Sequence, residues 1–420
     1  MKPKLFTILK DYSLSDLVRD SAAGVTVAMV AIPLSLAIAI ASGAPPEAGL
    51  ITAAIGGLLI SLFGGSRVQV GGPTGAFIVV VYAVIQDHGY DGLILATLLA
   101  GVILVVSGYL KVGKLVAYVP EAVINGFTIG IGLLIATSQL KDFLGLDGGS
   151  IPAGFFETVS ALWGARDTVA PISIVLAMGA MVMILGARRI SPRFPGLILA
   201  AILVSFLVWY FALDVDTIES RFGELSGRFP IPALPSATLE KIIEVLPSAF
   251  IIAFLAGVES LLSAIVADRM IGGKHRSSAE LAAQGFANIG SALFGGLPAT
   301  GAIARTATNV QAGGRTPVAG LVHAVTVLAT TLLASGLIGY MAMPALAAVL
   351  LLTAWNMSEP HKWPSYAKGR RSDLLLLCLT FILTVTVDLT VAIGVGVSVG
   401  LALRMNRRNI EPEDWTPPRR

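Results

Sequence analysis

Residues 62–77 read "LFGGSRVQVGGPTGAF" and residues 293–309 read "LFGGLPATGAIARTATN". Each stretch opens with the same four residues, passes through a short extended piece broken by glycine and proline, and reaches Thr-Gly-Ala: Thr74, Gly75 and Ala76 in one, Thr300, Gly301 and Ala302 in the other. Pro73 suits the first turn of a helix, where its missing N–H would be unpaired in any case. A half-helix is therefore expected from about Thr74, and Pro298 with its glycines predicts a second from about Ala302. Both fall deep in apolar sequence. Arg305 is the only charge between Glu280 and Arg315.

The surroundings are those of an integral membrane protein. The 420 residues are 55% hydrophobic and 13% charged, with a mean hydropathy of +0.82, far more apolar than an average soluble chain. Runs such as "SAAGVTVAMVAIPLSLAIAIA" and "APISIVLAMGAMVMILG" can cross ~30 Å of hydrocarbon as helices. The 45 glycines and 22 prolines predict broken segments among them. Cys378 is the single cysteine and lies in an apolar run, so no intramolecular disulfide forms. The net charge of +3 comes from loops beside the spans, and the absence of any basic-aromatic patch excludes nucleic acid as a partner. Residues 1–20 are amphipathic and basic with no processing site, and are expected to lie flat on the cytoplasmic surface.

Spans are expected near 21–41, 48–63, 73–86, 92–110, 119–140, 168–187, 195–213, 245–267, 279–294, 302–312, 317–335, 341–356, 373–387 and 389–405. With a cytoplasmic N-terminus, Arg67 and the basic loops at 111–114, 187–194, 268–276, 312–315, 361–371 and 404–408 all fall inside, as the positive-inside rule requires. The hydrophilic segment 214–240 then lies outside and separates seven spans from seven. An odd number per half reverses the second half in the membrane, which is an inverted repeat. The two "LFGG" copies end the second span of each half, which supports that reading.

In such a repeat the two half-helices approach from opposite sides with their N-termini facing. Unpaired N–H groups and about half a positive charge at each terminus attract an anion into the gap. Arg305, one turn into the second half-helix, adds a full charge beside it. The alternatives are that Arg305 snorkels, ties down carbonyls of a broken helix, or pairs with a carboxylate. The other isolated charge is Glu259, alone between Glu244 and Asp268, with Ser263 four residues on and on the same helical face. A carboxylate at this depth is costly unless protonated, paired or metal-bound, so proton relay, cation binding and an ion pair with Arg305 are all open. His88, His275 and His361 are expected to be solvated in loops and His323 to be packed, while Trp163, Trp209, Trp355 and Trp363 mark span ends. No His/Cys metal cluster, nucleophile elbow or phosphate loop is present, so neither an enzyme nor an ATP-driven pump is expected, and no cofactor.

"VAIPLSLAIAIASGAPPEAGL", "GGSRVQVGGPTGAF", "VPEAVINGFTIGIGLLI" and "GGLPATGAIARTATNVQAGGRTPVAG" resemble the SulP family of anion transporters, the relatives of sulfate permeases, pendrin and prestin. The resemblance runs from about residue 12 to 405. It implies an all-α polytopic fold of about fourteen segments in a seven-plus-seven inverted repeat like that of uracil permeases, with the half-helices preceded by short extended strands. It divides the chain into an N-terminal segment (1–20), core segments 1–4 (21–110), gate segments 5–7 (111–213), an extracellular linker (214–244), core segments 8–11 (245–335), gate segments 12–14 (336–405) and a cytoplasmic tail (406–420). It implies an elevator that carries a small anion, sulfate-like, dicarboxylate or bicarbonate, between half-helices 3 and 10.

Carried over position by position, the pocket falls on Leu34, Ile38, Thr74, Gly75, Ile303, Ala304 and Arg305, with Glu259 and Ser263 as the proton or cation site. Leu34 stands where many members have glutamine, which puts sulfate itself in doubt. Sodium-coupled members often place a hydroxyl where this chain has Ile303, so proton symport is favoured over sodium symport at Glu259 and Ser263, over exchange and over an uncoupled channel. A homodimer in the inner (plasma) membrane with both termini cytoplasmic is implied as well. Members usually add a cytoplasmic STAS domain of roughly a hundred residues; this sequence ends at Arg420, which leaves a short member and a piece of a longer chain both open.

Overall fold

The computed structural model describes residues 2–9, 12–113, 120–147, 152, 154–191, 195–387 and 389–406, so the expected tail beyond 406 and parts of the loops at 111–114, 187–194 and 404–408 lie outside the described residues. Besides the shorter helices Leu5–Ile8 and Phe155–Gly164, the first half contains α1 (Leu14–Ala41), α2 (Pro46–Phe63), α3 and α4 (75–88 and 90–109), α5 (Glu121–Leu144), α6 (Pro171–Ile190) and α7 (Gly196–Tyr210). α3 and α4 are two arms of one helical stretch, Gly75–Tyr109, broken at Gly89 by a φ of 70°. The second half consists of α8 (Leu239–Ile271), α9 (Ser277–Leu293), α10 (Ile303–Ala312), α11 (Val318–Leu333), α12 (Met343–Met357), α13 (Arg371–Thr386) and α14 (Leu389–Asn406). Among the described residues six helical stretches are long and apolar enough to cross a membrane by themselves: α1, α2, the α3–α4 pair, α5, α6 and α8.

Two starts differ from expectation, and capping explains both. α1 begins at Leu14 because Ser13 and Asp16 form a reciprocal capping box, each side chain accepting from the other residue's main-chain N–H. α8 begins at Leu239, where Thr238 accepts from Lys241 N. The segment ahead of α8 is also less loose than an apolarity profile suggests. It contains a short helix, Ile218–Phe222, docked on the start of α12 through Ile218 N to Met341 O (3.0 Å) and Met343 N to Asp216 O (2.9 Å).

Packing repeats between the halves. α1 lies on α11 as α8 lies on α4; α10 touches α1 as α3 touches α8; α5 packs with α13 as α12 packs with α6. Small residues permit these approaches. At Gly24 a Cβ would stand 2.4 Å from Ala319 O, and at Gly285 it would stand 2.6 Å from Gly101 O. The helices thus fall into two groups, α1–α4 with α8–α11 and α5–α7 with α12–α14, and α1 carries much of the contact between them by packing on α7 and α12. Outward faces remain apolar: Trp163, Trp209, Trp355 and Trp363 are exposed near helix ends, and Cys378 is exposed on α13.

At the centre, β1 (Gly71–Gly72) pairs antiparallel with β2 (Thr300–Gly301), Gly71 opposite Gly301 and Gly72 opposite Thr300. This pairing makes Gly71 the counterpart of Thr300 and places Thr74 in register with Ile303. The two Thr-Gly-Ala copies are therefore not equivalent. The first starts a helix, whereas the second supplies the strand that precedes one.

Candidate functional site

The ribbon has two residues in each strand, so most of its edge groups need partners from side chains. Thr306 accepts from Val70 N (3.1 Å), Asn309 donates to Val68 O (2.8 Å), and Asn288 holds both Ala299 N (3.0 Å) and Ala299 O (2.8 Å). Two long side chains lie across the ribbon's glycines. A Cβ on Gly72, whose φ is 152°, would stand 1.8 Å from Arg305 Nη1, and a Cβ on Gly301 would stand 1.5 Å from Gln69 Nε2. A side chain at Gly72 would be strained by this φ and would displace the guanidinium, while one at Gly301 would displace the Gln69 amide.

Arg305 is 1% exposed. Its guanidinium donates from Nη2 to Ser35 Oγ (2.9 Å) and from Nη1 to Gly71 O (3.3 Å). It does not pair with Glu259; among the described residues no ion pair joins the two. Glu259 instead accepts from Thr74 Oγ1 through Oε1 (2.7 Å), while Thr74 Oγ1 also accepts from Ala76 N (3.3 Å) as the N-cap of the 3-10 turn Gly75–Phe77 that opens α3. Among the described residues Glu259 Oε2 has no hydrogen-bond partner. The carboxylate thus sits at the N-terminus of α3, where partial positive charge is highest.

Ser263 does not share this position. It is fully buried, and its hydroxyl donates to Thr306 Oγ1 (3.3 Å), joining the network that holds Val70 N. Gly75 faces the second helix group: a Cβ there would stand 3.0 Å from Met357 Sδ and 3.7 Å from Ile135 Cδ1. Across the ribbon, α10 opens from the uncapped Ala302, and both Ile303 and Ala304 are exposed. The first N–H groups of α10 lie at or beside those residues and have no partner in the preceding turn. Leu34 and Ile38 are buried on α1 to either side of Ser35, the partner of Arg305. They offer apolar wall and no polar contact.

Of the residues singled out in the sequence, the structure gathers Thr74, Gly75, Glu259, Ile303, Ala304 and Arg305 around the ribbon and gives Ser263 a scaffolding contact. Ser35, Gln69, Thr306, Asn309 and Asn288 were not singled out. Ser35 and Asn288 sit in apolar helices, Thr306 and Asn309 on the polar α10 and Gln69 in the extended stretch before β1, and only the paired strands bring them to the site. His323 is packed with no exposure, as expected. His275 differs from expectation: its main-chain N and its Nδ1 both reach Asp268 Oδ2 at 2.7 Å.

The chain matches the sequence profile of the Sulfate permease family over residues 17–380. It is 42% identical over 376 residues to the putative sulfate transporter YvdB of Bacillus subtilis, covering 89% of this chain and 71% of that one. It is 34% identical over 344 residues to the bicarbonate transporter BicA of a Picosynechococcus species, covering 79% of this chain and 60% of the relative. The solved transmembrane domain of a cyanobacterial bicarbonate transporter BicA superposes with a TM-score of 0.78 at 30% identity, over 94% of this chain and 98% of that one. Murine Solute Carrier 26 family member A9 shares the fold, with a TM-score of 0.86 at 18% identity over 97% of this chain and 71% of that one.

Proposed function

This chain belongs to the sulfate permease family, and on that premise we propose that it is a secondary active transporter of small anions, coupled to protons through Glu259. The observation that carries the proposal is the hydrogen bond of Glu259 to Thr74, the N-cap of α3, beside a ribbon whose other strand leads into the uncapped N-terminus of α10.

The charge balance gives the mechanism. Each helix terminus contributes roughly half a positive charge, Arg305 contributes one and an ionised Glu259 removes one. The gap therefore carries about +1 with Glu259 ionised and about +2 with it protonated. An ionised Glu259 occupies the seat of the anion and cancels part of its field. A proton taken up on the free Oε2 removes that competition, so proton and anion bind together. Ser263, turned toward Thr306, leaves Glu259 and Thr74 as the oxygens here, a sparse set for sodium beside the several ligands hard cations take. The relatives are called sulfate and bicarbonate transporters, and these anions, with dicarboxylates, are the candidate substrates.

In this reading α1–α4 with α8–α11 form the moving core, which slides as an elevator against α5–α7 with α12–α14. The basic loops face the cytoplasm, and the protein functions as a homodimer in the plasma membrane. The test is uptake into proteoliposomes of labelled sulfate, bicarbonate, succinate and chloride with an inward proton gradient, an inward sodium gradient or neither. Accumulation of one anion under the proton gradient alone is expected. Accumulation driven by sodium, or by neither gradient, would overturn proton coupling.

A further inference from the structure

A second cluster of charge lies away from the ribbon, where three separate pieces of chain meet. Lys4 N donates to Gly64 O (2.9 Å), Arg276 N donates to Gly65 O (3.1 Å), and Arg276 Nη1 donates to Lys2 O (2.7 Å). Leu5 is buried at 4% exposure and pins the segment. The loop can approach so closely because Gly65 has no side chain: a Cβ there would stand 2.2 Å from Arg276 O. These contacts bring together Lys2, Lys4, Arg67 and Arg276.

The cluster lacks compensation from the protein. Partial burial, then the charges of Arg276 and Arg67, hold the Lys4 ammonium below the usual lysine range, and Asp268 opposes them weakly. Asp268 is engaged by His275. The other nearby carboxylate, Glu280, is fully buried and accepts Gly65 N (2.8 Å) and Ser66 N (2.9 Å) through one oxygen. Among the described residues no carboxylate forms an ion pair with Lys2, Lys4, Arg67 or Arg276.

Beside the cations the same segment is apolar and uncovered. Phe6 is 57% exposed and Leu9 45% exposed on or just past the short helix Leu5–Ile8, and Leu14, Leu17 and Val18 are exposed at the start of α1. Cations next to exposed apolar side chains at the end of a helix bundle match an anionic headgroup with acyl chains attached. We propose that this clamp is a binding site for an acidic phospholipid, its phosphate held by Lys4, Arg67 and Arg276 and its acyl chains against Phe6 and Leu9. The loop at 64–67 leads directly into β1 and the loop at 274–277 into α9, so a bound lipid braces the segments that hold the ribbon.

The proposal does not rest on the transport reading, and its test does not use transport. The purified full chain in neutral detergent is titrated with phosphatidylglycerol, phosphatidylcholine or inorganic phosphate, with lipid retention read by native mass spectrometry and stability by thermal unfolding. Phosphatidylglycerol should be retained and raise the unfolding temperature, and phosphatidylcholine should do neither. The K4Q/R67Q/R276Q variant should weaken retention by about a hundredfold, given roughly 1 kcal/mol per basic residue near anionic lipid. The charge-matched K368Q/R370Q/R371Q variant should retain it. Arg67 is exposed and makes no described hydrogen bond, so R67Q alone keeps the test valid if the triple variant does not fold, and it should weaken retention several-fold. Equal loss in both triple variants, unchanged retention in R67Q, or the same stabilisation by inorganic phosphate would overturn the proposal.

Discussion

Arg305 and Glu259 were conspicuous in the sequence as isolated charges, but their partners were not. Arg305 reaches Ser35 Oγ on α1 and Gly71 O on β1, contacts separated from it by more than two hundred residues. Nothing local could reveal them. The geometry gives the arginine two roles, a buried donor to the ribbon and a fixed charge near the start of α10. Arg305→Gln separates them, since an amide keeps donors but removes the charge. We expect anion affinity to fall on the order of tenfold, equivalent to about 1.4 kcal/mol, with a smaller change in unfolding temperature. Loss of stability with unchanged affinity would assign the arginine to the scaffold alone. Gly72→Ala is expected to destabilise because a side chain is strained at its φ of 152° and its Cβ would displace the buried Arg305 guanidinium; the check is yield and monodispersity of the purified variant against wild type.

The broken elements were legible because proline and glycine interrupt apolar runs at corresponding places in two halves. Their starts near Thr74 and Ala302 agree with the N-caps found. The register of the repeat was not legible, because "LFGG" and Thr-Gly-Ala are separated by different numbers of residues in the two copies. Only the pairing of Gly71 with Gly301 fixes it. The capping of Ser13 and Thr238 likewise extended α1 and α8 beyond their apolar portions. The ribbon depends on side chains for its edge hydrogen bonds, and Asn288 supplies two of them to Ala299. Asn288→Leu should leave a buried N–H and C=O unpaired and cost about 1–3 kcal/mol for each. Thermal unfolding in detergent is the measurement, and an unchanged midpoint would mean that the ribbon does not need this support.

For the whole molecule, composition established a membrane protein and the odd span count established an inverted repeat. The Sulfate permease family match and the superposition on a solved transmembrane domain agree with both. Among the described residues six helical stretches are long and apolar enough to cross alone, which explains why apolar runs located the segments better than they located the ends. The division into two helix groups arises from long-range packing, with α1 bridging toward α7 and α12. A one-dimensional pattern contains no such information, so the expected core and gate came from family resemblance.

The central claim is that proton and anion share one site through Glu259. Glu259→Gln mimics the protonated carboxyl, and since Thr74 can still donate to the amide oxygen, the N-cap of α3 remains intact. The decisive measurement is paired in proteoliposomes: accumulation under an inward proton gradient, and exchange of labelled for unlabelled anion at equal pH. The account predicts that the variant keeps exchange, loses proton-driven accumulation and loses the rise of uptake with falling external pH. A variant that still accumulates the anion with the wild-type dependence on pH would contradict it.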